Sequence, residues 1–260
     1  EPPSNYSPLK VPGTVVKDID GLEAGTNHGR AADKYVYSAS VVNQWLEKPS
    51  TQPKNKKIVF VTFDDGPTTK FTGEQLDNLE KAGARATFFM IPPQMRDVGK
   101  NMLSRSLKMG NALAIHSYSH DYKYLYHGSA ANKAKHISCD WDWAMAQSRA
   151  ILGSNYFSSA FRYPGGHMSW TNLSQADATL AKRGVGWIDW NAMSGDADAQ
   201  RPTTVPGYLQ MVKKSIKESN NPNVVVILNH DTYGKQMTAK AMPSILAWLK
   251  SQGYEFGVIA

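Results

Sequence analysis

Cysteine is almost missing from this chain: Cys139 stands alone among 260 residues. No disulfide can form within the chain, which excludes a small disulfide-stapled scaffold. The setting of that residue, Ile137-Ser138-Cys139-Asp140-Trp141, reads as a helical packing position and not as that of a nucleophile. Long apolar runs are missing too, and none reaches the roughly 18 residues of a membrane-crossing helix. There is no secretory signal pattern, and the chain opens Glu1-Pro2-Pro3-Ser4 without a methionine. A processed, exported protein whose targeting segment has been removed is therefore expected, at the cell surface or outside the cell. No DNA- or RNA-binding motif is present, and Lys and Arg are scattered apart from a small cluster at 54–57. The formal charge of +7 would suit nucleic acid, but that scatter and the missing motif point away from it. It suits association with an anionic polymer such as those of the cell envelope.

What is present is a composition with 41% hydrophobic residues and mixed charge, enough for a sizeable core in one α/β domain. Residues 1–56 have weak periodicity and many prolines, and read as a loop-rich lead segment. They include one helix over 38–46 capped by Ser38, a linker at 50–56, and His28 as a solvated loop histidine. From residue 57 strand and helix signals alternate. Strands are expected at 57–61, running on towards the paired acids, and at 86–91, 112–115, 159–163, 185–190, 224–229 and 254–259. Between them lie a helix through Leu76, Leu79 and Ala82, and helices at 102–109, 130–152, 173–182, 205–218 and 242–252. Several stop at a glycine, as at Gly83, Gly110 and Gly153. About seven β/α units without hairpin signals predict an α/β fold with a parallel sheet, and in this length a barrel.

In a parallel barrel, functional groups gather where strands end. Asp64 and Asp65 end the first strand, His116 follows the third, and Arg162 and Tyr163 end the fourth. Asp196 lies beyond the fifth, and His230 follows the sixth. In His116-Ser117-Tyr118-Ser119-His120 the two imidazoles are four apart; on a helix they would share one face and could bind one metal ion. A carboxylate from another strand end would complete a site of two histidines and one acid, which leaves positions open for water and substrate. One member of the Asp64–Asp65 pair can be that ligand, and the other a base. Arg162 beside Asp64 would keep it ionised. His230 suits a general acid, poised by Asp196 or Asp231.

The stretches TFDDGP (62–67), HSYSH (116–120), RYPGG (162–166) and ILNHD (227–231), in this order, resemble the signature motifs of the NodB-homology polysaccharide deacetylases, carbohydrate esterase family four. The resemblance covers roughly residues 57–260, and its character is that of peptidoglycan N-acetylglucosamine deacetylases. It implies a distorted (β/α) barrel of seven or eight strands and a metal-dependent deacetylation of N-acetylated glycan, zinc being the expected ion. It also implies roles: Asp64 as base, Asp65, His116 and His120 as metal ligands, and Arg162 orienting the base. Tyr163 would offer a backbone N–H to the oxyanion. His230 would be the acid, tuned by Asp196, with Asp189 a rival for that position. Leu228 would line the pocket for the acetyl methyl. The sequence departs from the family pattern at Ala197, where a tryptophan is usual, and at Ala114-Ile115, where Gly-Asn is usual.

Overall fold

In the computed structural model, which describes residues 15–260, one strand is buried along its whole length and carries neighbours on both sides. In chain order the strands are β1 (Val36–Tyr37), β2 (Ile58–Asp64), β3 (Ala86–Met90), β4 (Ala112–Ile115) and β5 (Ala160–Phe161). They continue with β6 (Gly186–Trp187), β7 (Ala192–Met193), β8 (Val224–His230), β9 (Glu255–Phe256) and β10 (Val258–Ile259). The helices are α1 (Ala39–Glu47), α2 (Thr69–Ala82), α3 (Met95–Val98), α4 (Lys100–Lys108) and α5 (Tyr122–Tyr126). After these come α6 (Ala130–Leu152), α7 (Ser174–Lys182), α8 (Val205–Glu218) and α9 (Gln236–Ser251).

Seven strands form a parallel row in the order β6-β5-β4-β3-β2-β8-β7, with β9 joining the start of β2. The row ends at β6 and β7, consecutive in the chain, so the sheet curls into a barrel with an open seam there. This is the expected distorted (β/α) barrel. Side chains alternate between two layers, as the period-2 geometry of a strand requires. Ile58, Phe60, Phe89, Ala114, Ala160, Ile188, Val224 and Val226 fill the interior. Val59, Val61, Phe63, Phe88, Leu113, Val225 and Ile227 face the helices, where Leu76, Leu79, Trp141 and Leu246 meet them. Strands buried on both faces explain the near-continuous apolar runs in the sequence.

Register then decides what lies above the inner layer. Thr62 is opposite Leu228, and Asp64 is opposite His230. Ile115 is opposite Phe161 in the outer layer, so the next residues, His116 and Arg162, belong to the inner one. All of these sit at the C-terminal end of the barrel.

Helix limits agree with local chemistry. Ser38 accepts a hydrogen bond from the Val41 N–H, Asp121 from Tyr124, Ser129 from Asn132 and Thr204 from Gly207, so four helices carry side-chain caps. Helix α2 stops where Gly83 takes a left-handed φ of 62°. The sequence reading began the last helix at 242, next to Pro243; instead α9 starts at Gln236 and runs through that proline. Proline removes the N–H that would bond the carbonyl four residues back. The Asn78 amide donates to that Ala239 carbonyl at 2.8 Å, so the carbonyl keeps a donor.

The lead segment needs two corrections. His28 is buried, not solvated: it bridges to Ala112, and its Nδ1 lies 3.1 Å from the Gly29 carbonyl. The stretch read as a linker holds a fixed Gln52, which accepts from Val224 N–H at 3.1 Å and donates to the Trp45 carbonyl at 2.9 Å. Two short strands, β1 and β7, were not anticipated. The strand expected at 254–259 divides into β9, beside β2, and β10, beside β1.

Candidate metal centre and deacetylase site

Asp65 leaves β2 with a positive φ of 76°, which swings its carboxylate away from that of Asp64 and over the barrel mouth. Its Oδ1 lies 3.3 Å from His116 Nε2 and 3.2 Å from His120 Nε2. These three ligand atoms lie within 4.8 Å of one another, close enough to share one ion. The same Oδ1 is buried without a hydrogen-bond donor, an arrangement that a cation relieves. His116 Nδ1 is 2.8 Å from the Arg162 carbonyl; donating there, it turns the Nε2 lone pair towards Asp65. The donor set of two imidazoles and one carboxylate fits a divalent transition metal such as zinc. Burial alone would raise the Asp65 carboxyl, but the imidazoles of His116 and His120, with His230, outweigh burial and hold it well below the usual range.

The histidine pair is brought together by a loop and not by a helix. Residues 116–120 form a loop in which Ser117 and His120 have φ values of 151° and 48°. The loop is organised by Asp140, which the sequence reading passed over. This residue of α6 is 1% exposed. Its Oδ1 accepts from Ser117 Oγ and Tyr118 N–H, each at 2.8 Å, and its Oδ2 from Ser119 N–H at 2.9 Å. Ser117 Oγ in turn accepts from the His120 N–H at 2.9 Å. Burial raises the Asp140 carboxyl, and these hydrogen bonds oppose the shift. A signal existed: Asp140 is an acid inside the buried stripe of α6 that includes Ile137, Trp141 and Ala144.

Asp64, 2% exposed, points into the barrel. Its Oδ1 accepts from Arg162 Nη1 at 2.9 Å, and its Oδ2 is 3.8 Å from His116 Nε2. Arg162 is wholly buried, yet its guanidinium is almost fully engaged. It also donates to Thr62 Oγ1 at 2.7 Å and to the carbonyls of Ile188 and Asp189 at 3.1 and 3.0 Å. The Phe89 ring lies beneath it, 4.2 Å from centroid to guanidinium carbon.

His230, across β2 from the pair of histidines, has its Nδ1 2.8 Å from Asp196 Oδ1. Asp196 Oδ2 accepts from the His230 N–H at 2.8 Å and from Thr238 Oγ1 at 2.9 Å. Burial disfavours the charged imidazole, but Asp196, helped by Asp64 and Asp65, brings it up to about 9. The rival Asp189 faces elsewhere: its carboxylate accepts from the N–H groups of His167 and Met168. Asp231, the other acid considered for His230, bonds Thr72 instead at 2.6 Å. Tyr163 follows Arg162 with its hydroxyl on Asp177 at 2.7 Å, and Leu228 is half-buried beside Thr62. The structure therefore brings Asp64, Asp65, His116, His120, Arg162, His230 and Asp196 to one end of the barrel.

Comparison with known proteins places the chain in a family. Residues 51–182 match the family model for "Polysaccharide deacetylase". A carbohydrate esterase family four (CE4) esterase from Streptococcus mutans superposes with a TM-score of 0.84 at 39% identity, covering 94% of this chain and 100% of that one. A peptidoglycan-N-acetylglucosamine deacetylase of Bacillus cereus is 28% identical over 204 residues, 78% of this chain and 69% of its own. A bifunctional xylanase/deacetylase of Pseudobutyrivibrio xylanivorans is 30% identical over 210 residues; the match spans 81% of this chain but only 31% of that longer protein. Given the matched motifs, the shared barrel and the acids and histidines at its mouth, this chain belongs to the polysaccharide deacetylase family of hydrolases.

Proposed function

We propose that the protein removes acetyl groups from N-acetylglucosamine residues of a glycan, with peptidoglycan of the cell wall as the preferred substrate, and that it depends on a divalent ion, zinc, held by Asp65, His116 and His120. The carrying observation is the buried Asp65 Oδ1, which lacks a donor yet has two imidazole nitrogens at 3.2–3.3 Å, beside a second carboxylate held by Arg162. An ion bound there lowers the pKa of water towards about 7 and polarises the acetamide carbonyl.

The chain's own groups supply the rest. Asp64 accepts the proton of the attacking water, and Arg162 fixes the carboxylate so that one oxygen stays available for this. The Tyr163 N–H donates to the carbonyl oxygen as it becomes negative. His230 delivers a proton from Nε2 to the departing amine; Asp196 holds the Nδ1 proton, so the orientation and tautomer are set in advance. Leu228, facing the interior above the apolar layer, takes the acetyl methyl. The balance is a C–N bond broken, a C–O bond formed, and acetate and a free amine released.

Residues 57–260 would form the catalytic domain, preceded by the lead segment, and the protein would act outside the cell. Its charge of +7 suits attachment to anionic envelope polymers. The relationship to a xylanase/deacetylase favours one second reading, O-deacetylation of acetylxylan by the same groups. Acetate release from peptidoglycan, chitin oligomers and acetylxylan, compared side by side, decides between them. Asp64→Asn is expected to abolish acetate release while retaining zinc; near wild-type turnover would remove Asp64 from the role of base.

A further inference from the structure

Among the described residues five large apolar side chains are strongly exposed: Val15, Val41, Tyr122, Met168 and Tyr233. Isolated exposed residues of this kind need no explanation, but three of the five stand on the segments that follow β4, β5 and β8 at the barrel mouth. Tyr122 comes two residues after His120, Met168 follows the 162–166 turn, and Tyr233 comes three residues after His230.

The two tyrosines are each backed on one side. Tyr122, 46% exposed, meets Trp170 edge-on with centroids 5.1 Å apart, and its ring is 5.5 Å from that of His120. Trp170 is itself stacked on Tyr126 at 4.0 Å, and both rings donate to the Pro164 carbonyl, at 2.9 and 2.8 Å. Gly165 makes room for this: a Cβ there would lie 3.3 Å from the Tyr122 hydroxyl and 3.2 Å from Trp170 Nε1. Tyr233, 80% exposed, rests edge-on against the buried Phe71 at 6.2 Å. Their loops leave β4 and β8, which lie on either side of the β3–β2 pair in the row. The segments that carry the two rings therefore leave the barrel on either side of Asp64 and Asp65, at the end of β2.

We propose that Tyr122 and Tyr233 are stacking platforms for the sugars on either side of the residue being deacetylated, so that the enzyme engages internal residues of a glycan chain. This rests on the glycan reading given above. A pyranose ring presents a face of C–H groups with slight positive charge, which matches the negative face of an aromatic ring, while the phenol hydroxyl stays in water. A polymer that places one sugar in the pocket must leave it in two directions, and these rings stand on both.

The test uses the full chain reconstituted with zinc and N-acetylglucosamine oligomers from dimer to hexamer. In Tyr122→Ala and Tyr233→Ala the preference for pentamer over dimer should shrink about three- to tenfold, through KM and not kcat. In an Asp64→Asn background, calorimetry should show pentamer binding weakened by a similar factor in each alanine variant and restored by Tyr→Phe. The exposed Val41→Ala serves as control. Unchanged length preference together with unchanged pentamer affinity overturns the platforms. If the parent enzyme releases acetate from no N-acetylglucosamine oligomer, the proposed substrate is what fails, and the binding arm still decides the platforms. A parent that does not bind the pentamer overturns both.

Discussion

Asp64 and His230 are direct partners in the parallel register of β2 and β8. The proposed base and acid thus come from adjacent strands at one level of the barrel. A slip of one residue would turn either side chain into the helix-facing layer. The apolar pairs below them, Phe60 with Val226 and Ile58 with Val224, hold that register.

The imidazoles of the metal site depend on a residue that touches no metal. Asp140→Ala removes the acceptor for the N–H groups of Tyr118 and Ser119 and for the Ser117 hydroxyl. Zinc affinity, measured against a competing chelator, should fall about 10–100-fold. Affinity equal to the wild type would mean that the loop is held in other ways.

Arg162→Met fills similar volume but leaves the Asp64 carboxylate, the Thr62 hydroxyl and two carbonyls without their donor in the barrel interior. Breaking a buried ion pair from one side costs about 3–5 kcal/mol. Urea unfolding of the variant should show a loss of that order, and a change under about 1 kcal/mol would contradict the buried pairing.

For His230 the folded pKa, about 9, exceeds the ordinary 6.5, with Asp196 the main favourable partner. The pair's contribution to folding is then fully present below 6.5 and fades as pH rises through about 9. Titration of the imidazole by NMR in metal-free protein should find that elevated value, and Asp196→Asn should bring it down. An unshifted midpoint in the variant would detach Asp196 from His230.

Asp231 shows the opposite linkage. Burial raises its carboxyl to about 7 from 3.8, and Thr72 is the only side chain that donates to it among the described residues. The folded state binds the proton more tightly than the unfolded state, so stability declines as pH rises from 3.8 through about 7. Asp231→Asn should gain on the wild type in unfolding midpoint at pH 8 and show little gain near pH 4. A gain independent of pH would assign the effect to packing.

Much of this was legible in the chain. Double-sided burial wrote itself as apolar runs, glycine stops marked helix ends, and the rule of strand ends drew attention to Asp64, His116 and His230. The histidine spacing pointed to a true juxtaposition through the wrong geometry, because loop and helix can bring residues four apart to one ion. Asp140 was harder, since two of the groups that donate to it are backbone N–H groups, which no residue type announces. His28 and Gln52 were misjudged for a related cause. Each is held by a strand more than 80 positions away in the sequence, Ala112 and Val224 respectively. Likewise, the donor to the Ala239 carbonyl that Pro243 leaves free is Asn78, on a different helix.

The position of β2 has a consequence for biosynthesis. Its partner β8 begins at Val224, and β10, whose Ile259 N–H donates to Thr87 Oγ1 in β3, comes later still. While a ribosome is still extending the polypeptide, the β2 edge that will meet β8 has no native neighbour for some 160 residues. Pairing over such a distance requires a costly loop closure and slows folding. Until β8 has been made, nascent chains of this protein should therefore present an apolar strand edge to the solvent and draw on chaperones.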